Sequence, residues 1–343
     1  MKNSHAPDYG KPDRIAGVPT LPCIEIVTPS LPGSDNGNAH TAGLWAHWLA
    51  PMAQVRITTA WSGDPAAALI ALHAWRSAPS IERFHAAHPG RPLAIVLTGT
   101  DLYRDLPREV GALQALRRAS HLVVLQAKAL QSLPPLAANV RVIEQSAPHL
   151  VRHDQARRHF DFVAVGHLRD EKDPQVLLDA ASLLPDTLAN GLPPRVLHVG
   201  AALQPHWQQA ADIAQRELPH YHWLGAVPHQ AARRWMARAR ALVHMSRMEG
   251  GAHVVIEAIR SRVPVLASRI DGNVGLLGSA YEGYFPPGDA QALARLMQRF
   301  AAEPAFALTL AAQCALREPR FAPAVERAAV RVLGRDLLAS TNA

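Results

Sequence analysis

Short apolar segments recur along this chain, and a helical pattern follows most of them. Segments of this length without polar alternation are typical of parallel strands that helices cover on both faces of a sheet. This repeated succession of strand and helix predicts the α/β class. The segments in the first half of the chain are CIEIVT (23–28), VRITTA (55–60), AALIALHA (67–74), LAIVLT (93–98), HLVVLQ (121–126) and VRVIEQ (140–145).

The succession starts again after a polar stretch near residues 146–160. We therefore predict two Rossmann-like domains that face each other across a cleft. The segments of the second series are DFVAVG (161–166), RVLHVG (195–200), YHWLG (221–225), ALVHMS (241–246), PVLAS (264–268) and YEGYFPP (281–287). The expected parts of the chain are a flexible tail (1–21), a first domain (22–155), a second domain (156–318) and a C-terminal helix that packs back toward the first domain (319–343).

The composition limits the possible partners. Hydrophobic residues make up 48% of the chain, and no apolar run reaches the roughly 18 residues of a membrane span. Arginine carries most of the formal charge of +7, which favours an anionic partner, but no basic run suggests nucleic-acid binding. Cys23 and Cys314 lie far apart and indicate no disulfide framework, so a cytoplasmic location is expected. Neither a nucleic acid nor a membrane is predicted as a partner.

One strand-end loop of the second domain combines two acids with two glycines. Open parallel sheets bind ligands at the carboxyl ends of their strands, and ALVHMS is followed by Glu249, Gly250 and Gly251. A helix is expected to begin near Ala252, where unpaired N–H groups favour a phosphate and glycine permits its close approach. Glu249 and Glu257 would then accept hydrogen bonds from the hydroxyl groups of a nucleotide sugar. The alternative is a capping acid followed by a surface glutamate.

A second loop, VGHLRDEKDP (165–174), carries two cations after the first strand of the same domain. Arg169 and Lys172 follow Gly166 and His167, and such cations suit the two phosphates of a diphosphate leaving group. The alternative is local pairing of these cations with the acids of the same loop.

A third loop places Gly272 and Asn273 after PVLAS, so that three loops point to one rim of the domain. The ordered series G-x5-K, S-x-x-E-G-x6-E-A, P-V-x-A-S and P-x-G-D-x-x-A-L-A resembles the second domain of GT-B glycosyltransferases of family 4 over about 160–300. This resemblance implies a GT-B fold in which Lys172 binds the donor diphosphate, Glu249 the sugar hydroxyls and Glu257 the ribose.

The family resemblance also implies a metal-independent enzyme without a cofactor, and the chain contains no D-x-D motif. The chain departs from the family pattern at two positions. His167 stands where the family usually has arginine, and Arg169 would supply the missing positive charge; Arg262 stands where the family has glycine. The donor-binding residues expected from the resemblance are Gly166, His167, Arg169, Lys172, Glu249, Gly250, Gly251, Ala252, Glu257, Gly272 and Asn273.

Motifs of the first half narrow the resemblance further. PSLPGSDNGNAHTAGLWAHWL (29–49), LIALHAWRSAPSIERF (69–84) and LTGTDLYRDL (97–106) are similar to the selenosugar synthases (SenB type) of selenoneine biosynthesis. This resemblance covers about 24–320. It implies transfer of a hexose from UDP-N-acetylglucosamine or UDP-glucose to selenophosphate, with formation of a C–Se bond and release of UDP. The oligomeric state stays open.

A small dianion such as selenophosphate needs N–H groups and fixed cations. The loop with Gly33, Ser34, Gly37 and Asn38 suits an anion, although Asp35 stands where the family often has a basic residue. The remaining candidates for the acceptor site are His73, Arg76, Thr100, Asp101 and Arg104.

The two arginines could clamp the phosphate, and Asp101 could orient the acceptor or act as a general base. The alternatives are a packed strand histidine at His73 and a turn formed by Asp101. The catalytic candidates are Lys172, Arg169, Glu249 and Asp101.

Histidine pairs give no metal prediction. His85 and His88, and likewise His220 and His222, lack acids or cysteines at ligand spacing, so no metal site is expected. Three other functions remain open: a family 4 glycosyltransferase with another small-molecule or sugar acceptor, a nucleotide-sugar-binding protein without turnover, and a UDP-sugar epimerase.

Overall fold

The first domain is built on a six-stranded parallel sheet in the order β2-β1-β3-β4-β5-β6. The computed structural model describes residues 21–33, 37–136, 138–152 and 158–340. The strands are β1 (Cys23–Val27), β2 (Gln54–Thr58), β3 (Ala68–Leu72), β4 (Leu93–Leu97), β5 (His121–Val124) and β6 (Asn139–Val142). The helices are α1 (Gly37–Leu49), α2 (Ala78–Ala87) and α3 (Val110–Arg118).

The second domain repeats this architecture with the sheet order β12-β11-β10-β7-β8-β9. Its strands are β7 (Phe160–Val165), β8 (Pro194–Val199), β9 (Tyr221–Gly225), β10 (Ala241–His244), β11 (Val265–Ser268) and β12 (Tyr284–Phe285). Its helices are α4 (Pro174–Ser182), α5 (Pro205–Glu217), α6 (His229–Arg238), α7 (His253–Arg260), α8 (Asp271–Leu277), α9 (Ala290–Ala302) and α10 (Pro304–Arg317). The α/β prediction is confirmed, and each predicted strand segment overlaps a strand of the structure.

The strand order creates a crevice in each domain. In the second sheet the chain runs from β7 outward through β8 and β9, and then returns to add β10 on the other side of β7. In the first sheet β1 has β2 on one side and β3 on the other. Where successive strands diverge in this way, the loops at their carboxyl ends separate and leave room for a ligand. The loops after β7 and β10 are those that carry Lys172 and Glu249.

The last helix, α11 (Pro323–Ala339), returns to the first domain and packs on α1. Its Glu326 accepts a hydrogen bond from Trp45 Nε1 at 2.9 Å and one from the backbone N–H of Ser146 at 2.6 Å. A methyl group at Gly334 would lie 2.4 Å from Leu49, so the helix approaches α1 closely. The end of the chain thereby ties the second domain to the first. No described helix has both the length and the apolar character needed to cross a membrane.

Glycines allow the two domains to touch directly. A Cβ atom at Gly99 would lie 2.5 Å from the backbone nitrogen of Gly250, and one at Gly250 would lie 2.4 Å from the carbonyl carbon of Thr98. Farther along the contact, a Cβ atom at Gly275 in α8 would lie 2.0 Å from Gln126 Oε1. Backbone therefore meets backbone beside the loop after β10, which closes the cleft at this point.

Candidate active site

A lysine and a glutamate form an ion pair at the point where β7 and β10 diverge. Lys172 ends a short 3-10 turn after β7, and its Nζ donates to Glu249 Oε1 at 2.6 Å. The side chains are 18% and 12% exposed, so both reach the surface of the cleft. Buried His244, at the end of β10, places Nε2 3.5 Å from the same carboxylate oxygen. Among the alternatives, local pairing of Lys172 is wrong, because its carboxylate partner comes from another loop.

The charge of Glu249 follows from these neighbours. Burial alone would raise the pKa of its carboxyl group, but the attraction of Lys172 and the hydrogen bond with His244 outweigh this effect. The pKa therefore falls well below its usual range. A permanently ionised carboxylate is a good acceptor for sugar hydroxyl groups.

The other residues of the loop after β7 are held less tightly. Arg169 is 41% exposed and has Glu171 Oε2 at 3.9 Å, so its guanidinium group can move toward a ligand. His167 Nδ1 accepts a hydrogen bond from the backbone N–H of Ala201 at 3.1 Å. Asp173 pairs with Arg247 at 2.8 Å.

Glu257 lies one turn into α7 and is buried, with its side chain only 5% exposed. His229 Nε2 lies 2.6 Å from Glu257 Oε1, and Arg233 Nε lies 3.5 Å from the same atom. Burial would raise the pKa of this carboxyl group, but the hydrogen bond with His229 and the nearby positive charges lower it. A surface glutamate is therefore the wrong alternative here. Likewise Glu249 does not cap α7, because the residue before the helix is Ala252.

Two predictions about glycine and asparagine need correction. Gly250 and Gly251 were expected to let a phosphate approach the backbone. The space beside their Cα atoms is instead filled by the first domain, because a Cβ atom at Gly251 would be 2.8 Å from Leu125 Cβ. Asn273 is fully buried and donates to Ser268 O at 2.8 Å. Gly272 packs on the loop after β10, because a Cβ atom there would lie 2.3 Å from Glu249 O. In the structure these groups hold the Glu249 loop in place.

His73 does not belong to a strand. It follows β3 with a φ of 70°, in the left-handed region that non-glycine residues rarely adopt, and it is 2% exposed. Its Nε2 lies 2.9 Å from Thr100 Oγ1, and its Nδ1 accepts from the backbone N–H of Arg76. Burial lowers the pKa of this histidine. The ring therefore joins the loops after β3 and β4 from inside the domain.

Asp101 is fully buried, and this placement contradicts its prediction as a general base. Its carboxylate accepts hydrogen bonds from four backbone N–H groups at 2.8–3.1 Å. The donors are the N–H groups of Ala74, Thr98, Gly99 and Leu102. The carboxylate thus fixes the turn of the loop after β4 and does not reach an acceptor in the cleft.

The arginines of the predicted acceptor site have different surroundings. Arg76 is exposed after β3. Arg104 is held by Asp105 at 2.8 Å and, across the cleft, by Glu171 at 2.7 Å. Arg104 therefore links the domains in the structure.

The predicted anion-binding loop before α1 is described only in part. Gly33 has a φ of 98°, and Gly37 and Asn38 begin α1. Ser34 and Asp35 lie outside the described residues.

Four histidines of the cleft were missed by the sequence analysis. His244 touches the Lys172–Glu249 pair, while the rings of His40, His229 and His253 lie within 6.5 Å of one another around Glu257. One signal could have found part of this cluster. His253 and Glu257 are four residues apart and so share one face of α7. His40 in α1 and His229 in α6 come close to this face only through the tertiary fold, which sequence spacing does not show.

Comparisons with known proteins agree with this architecture. Residues 151–315 match the model of the family described as glycosyl transferases group 1. No curated protein matches the chain significantly.

Three solved structures illustrate the fold. Anabaena HepE in complex with UDP and glucose is 16% identical, with a TM-score of 0.72 over 92% of this chain and 100% of that one. Sucrose-phosphate synthase from Thermosynechococcus elongatus is 18% identical, with a TM-score of 0.76 over 93% and 100%. The lipopolysaccharide outer core galactosyltransferase WaaB is 12% identical, with a TM-score of 0.65 over 92% and 99%.

The likeness along both domains identifies the GT-B fold, as expected. The family match contains the loops after β7 and β10, with Lys172, Glu249 and Glu257. This chain therefore has a GT-B fold, and its second domain, with the candidate site, matches the model of the glycosyl transferases of group 1.

Proposed function

We propose that this protein transfers a hexose from a UDP-sugar to a small anionic acceptor and releases UDP. The observation that carries the proposal is the Lys172–Glu249 pair at 2.6 Å, which places a cation and a carboxylate side by side at the strand ends of a group 1 domain. A diphosphate leaving group needs a fixed positive charge, and a sugar needs acceptors for its hydroxyl groups. The pair offers both within one site.

The proposed donor is held by three features of the second domain. Glu249 receives hydroxyl groups of the hexose, Lys172 turns from the carboxylate to the diphosphate, and Glu257 receives the ribose hydroxyls. The start of α7 adds partial positive charge near the phosphates. Solved structures of the similar HepE protein contain UDP and UDP-glucose, which supports a uridine nucleotide as the donor.

The chemistry proposed for these residues is charge stabilisation. The bond between C1 of the hexose and the diphosphate oxygen breaks, and its electron pair leaves with UDP. The acceptor forms the new bond to C1. Lys172 stabilises the negative charge that grows on the diphosphate, an effect that is larger in the transition state than in the bound donor. Arg169 is exposed enough to approach the same phosphates.

For the acceptor we propose selenophosphate, which would make the protein a selenosugar synthase that forms a C–Se bond. Two observations support a small anion. The motifs of the first domain resemble that family, and the contact of Gly99 with Gly250 narrows the cleft beside Glu249. A selenium nucleophile is already anionic near neutral pH, so the burial of Asp101 is compatible with this chemistry.

A second candidate is a group 1 glycosyltransferase with a different small-molecule or sugar acceptor. The structural likeness to a sucrose-phosphate synthase and a galactosyltransferase favours it, because those names describe enzymes that glycosylate other acceptors. A nucleotide-sugar-binding protein without turnover is the third candidate.

One assay separates these functions. Purified protein is incubated with UDP-N-acetylglucosamine or UDP-glucose and one of three acceptors: selenophosphate, phosphate as the matched anion, or a sugar or alcohol. UDP and selenium-containing hexose are followed by mass spectrometry. We expect UDP release only with selenophosphate, together with a product that shows the selenium isotope pattern. Release only with a sugar or alcohol acceptor would reject selenophosphate and retain glycosyl transfer. UDP binding without release under any condition would reject an enzyme.

A further inference from the structure

Three side chains with metal-binding atoms meet at the cleft. His229 begins α6, His253 begins α7, and Glu257 lies one turn further along α7. One ligand atom from each of these residues lies within 4.8 Å of the other two. We propose that they form a binding site for a divalent transition-metal ion of the zinc class.

The hydrogen bond of His253 orients its ring for this role. Its Nε2 lies 3.1 Å from the carbonyl oxygen of Ser146, so this nitrogen carries the proton and donates it. Nδ1 is then the nitrogen with the lone pair, and it lies 3.8 Å from Glu257 Oε1. Two electron-pair donors that face each other are stabilised by a cation between them. In metal-binding histidines, the ring nitrogen that does not bind the metal usually donates a hydrogen bond to a carboxylate or a backbone carbonyl, as Nε2 of His253 does here.

The donor set fits zinc. Two imidazole nitrogens and one carboxylate oxygen occupy three positions of a tetrahedron and leave the fourth open. Ligand atoms around zinc are about 3.4 Å apart. The 2.6 Å hydrogen bond between His229 Nε2 and Glu257 Oε1 therefore has to open as the ion replaces its proton, and His253 Nδ1, at 3.8 Å from Glu257 Oε1, has to move slightly closer. His229 can move, because its side chain is 51% exposed.

The fourth position faces the first domain. His40, in α1, places its ring centroid 4.9 Å from that of His253 and 6.0 Å from that of His229. The rings of the three histidines therefore surround Glu257 from both sides of the cleft. A bound ion would lie between the domains, with His40 as the nearest side chain able to complete the coordination.

One neighbouring charge makes the ion exchangeable. Arg233 Nε lies 3.5 Å from Glu257 Oε1, and this guanidinium is fixed by a hydrogen bond from Nη2 to Pro148 O at 2.7 Å. A fixed cation so close repels a metal ion and lowers its affinity. The site therefore suits an ion that binds and leaves. If Glu257 holds the ribose, which rests on the proposed function, metal and UDP-sugar compete for it.

The test uses Co²⁺, whose visible absorption reports tetrahedral coordination by nitrogen and oxygen. The full-length protein, treated with a chelator and then freed of it, is titrated with Co²⁺ alone. We expect an absorption band that saturates at one equivalent, is displaced by Zn²⁺, and is lost in His253→Ala and in His229→Ala. His85→Ala in α2 is the matched control and keeps the band.

Two results would overturn the site: absence of a saturable band in the wild-type protein, or an unchanged band in His253→Ala while circular dichroism shows a folded variant. The competition is tested separately by repeating the titration with saturating UDP. A rightward shift of the Co²⁺ titration supports overlap with the nucleotide, and an unshifted titration rejects it. Failure of UDP to bind at all would count against the proposed function and leave the metal band unaffected.

Discussion

At the scale of single residues, the lysine of the ion pair has the sharpest expected effect. Lys172 neutralises the leaving diphosphate in the proposed reaction, so Lys172→Ala should lower kcat by about a hundredfold to a thousandfold. The affinity for UDP-sugar should change much less, because the charge grows mainly in the transition state. Steady-state kinetics and donor titration measure the two effects. Lys128→Ala, at a half-buried lysine of the first domain, is the matched control.

Equal losses of turnover and donor affinity in Lys172→Ala would contradict this role. They would mean that the lysine only binds the ground state.

The buried aspartate of the first domain gives a contrasting prediction. Asp101→Asn replaces an acceptor by an amide whose NH₂ group faces backbone N–H donors, so it should destabilise the protein by about 3 kcal/mol. Because Asp101 is not the base in the cleft, the pH dependence of the remaining activity should be unchanged. Denaturant unfolding and a pH–rate profile measure these effects. Normal stability combined with loss of one limb of the profile would show that Asp101 is a catalytic base after all.

The positions of individual residues were predictable only in part. Lys172, Glu249 and Glu257 could be located because each follows a strand at a fixed spacing, and loops after parallel strands meet at one rim. The surroundings of Gly250, Asn273 and His73 were not predictable. They depend on which atoms of distant loops fill the space around them, and sequence spacing does not contain that information.

At the scale of elements, the contact between the loops after β4 and β10 controls how close the two domains come. Gly99 has a φ of 129°, and a Cβ atom there would meet the Gly250 nitrogen at 2.5 Å. Gly99→Ala should therefore separate the loops, increase the radius of gyration in small-angle scattering and reduce turnover.

A second glycine isolates the effect of backbone strain. Gly63 has a φ of 92°, but a Cβ atom there would meet no atom within 4 Å. Gly63→Ala should cost only the conformational strain, about 1–2 kcal/mol, and leave turnover and radius of gyration unchanged. Identical behaviour of the two variants would show that the close approach of the domains is not important.

The secondary structure was the most predictable level. Parallel strands buried on both faces appear as continuous apolar segments, and this signal located inner strands such as β3 and β4. The edge strands β2 and β6 are more exposed and were located by shorter apolar segments. Asp289 Oδ1 accepts a hydrogen bond from the N–H of Ala292, so this residue caps the start of α9. The domain contacts, in contrast, depend on glycines whose spacing resembles that of a phosphate-binding loop. The sequence alone does not separate these two uses of glycine.

At the scale of the whole molecule, two sheets face one cleft and a returning helix joins the two domains. α11 fastens the second domain to α1, and Arg104 links the first domain to Glu171 near the cleft. The central claim is that the diphosphate of a UDP-sugar lies between Lys172 and the start of α7, with Glu249 and Glu257 on its two sides.

A crystal structure of the protein with UDP tests this claim most directly. The account predicts a phosphate oxygen at about 3 Å from Lys172 Nζ, next to the first turn of α7, with ribose hydroxyl groups on Glu257. Lys172 would then have left Glu249 Oε1. A nucleotide bound elsewhere, or one whose phosphates leave the Lys172–Glu249 pair intact, would contradict it.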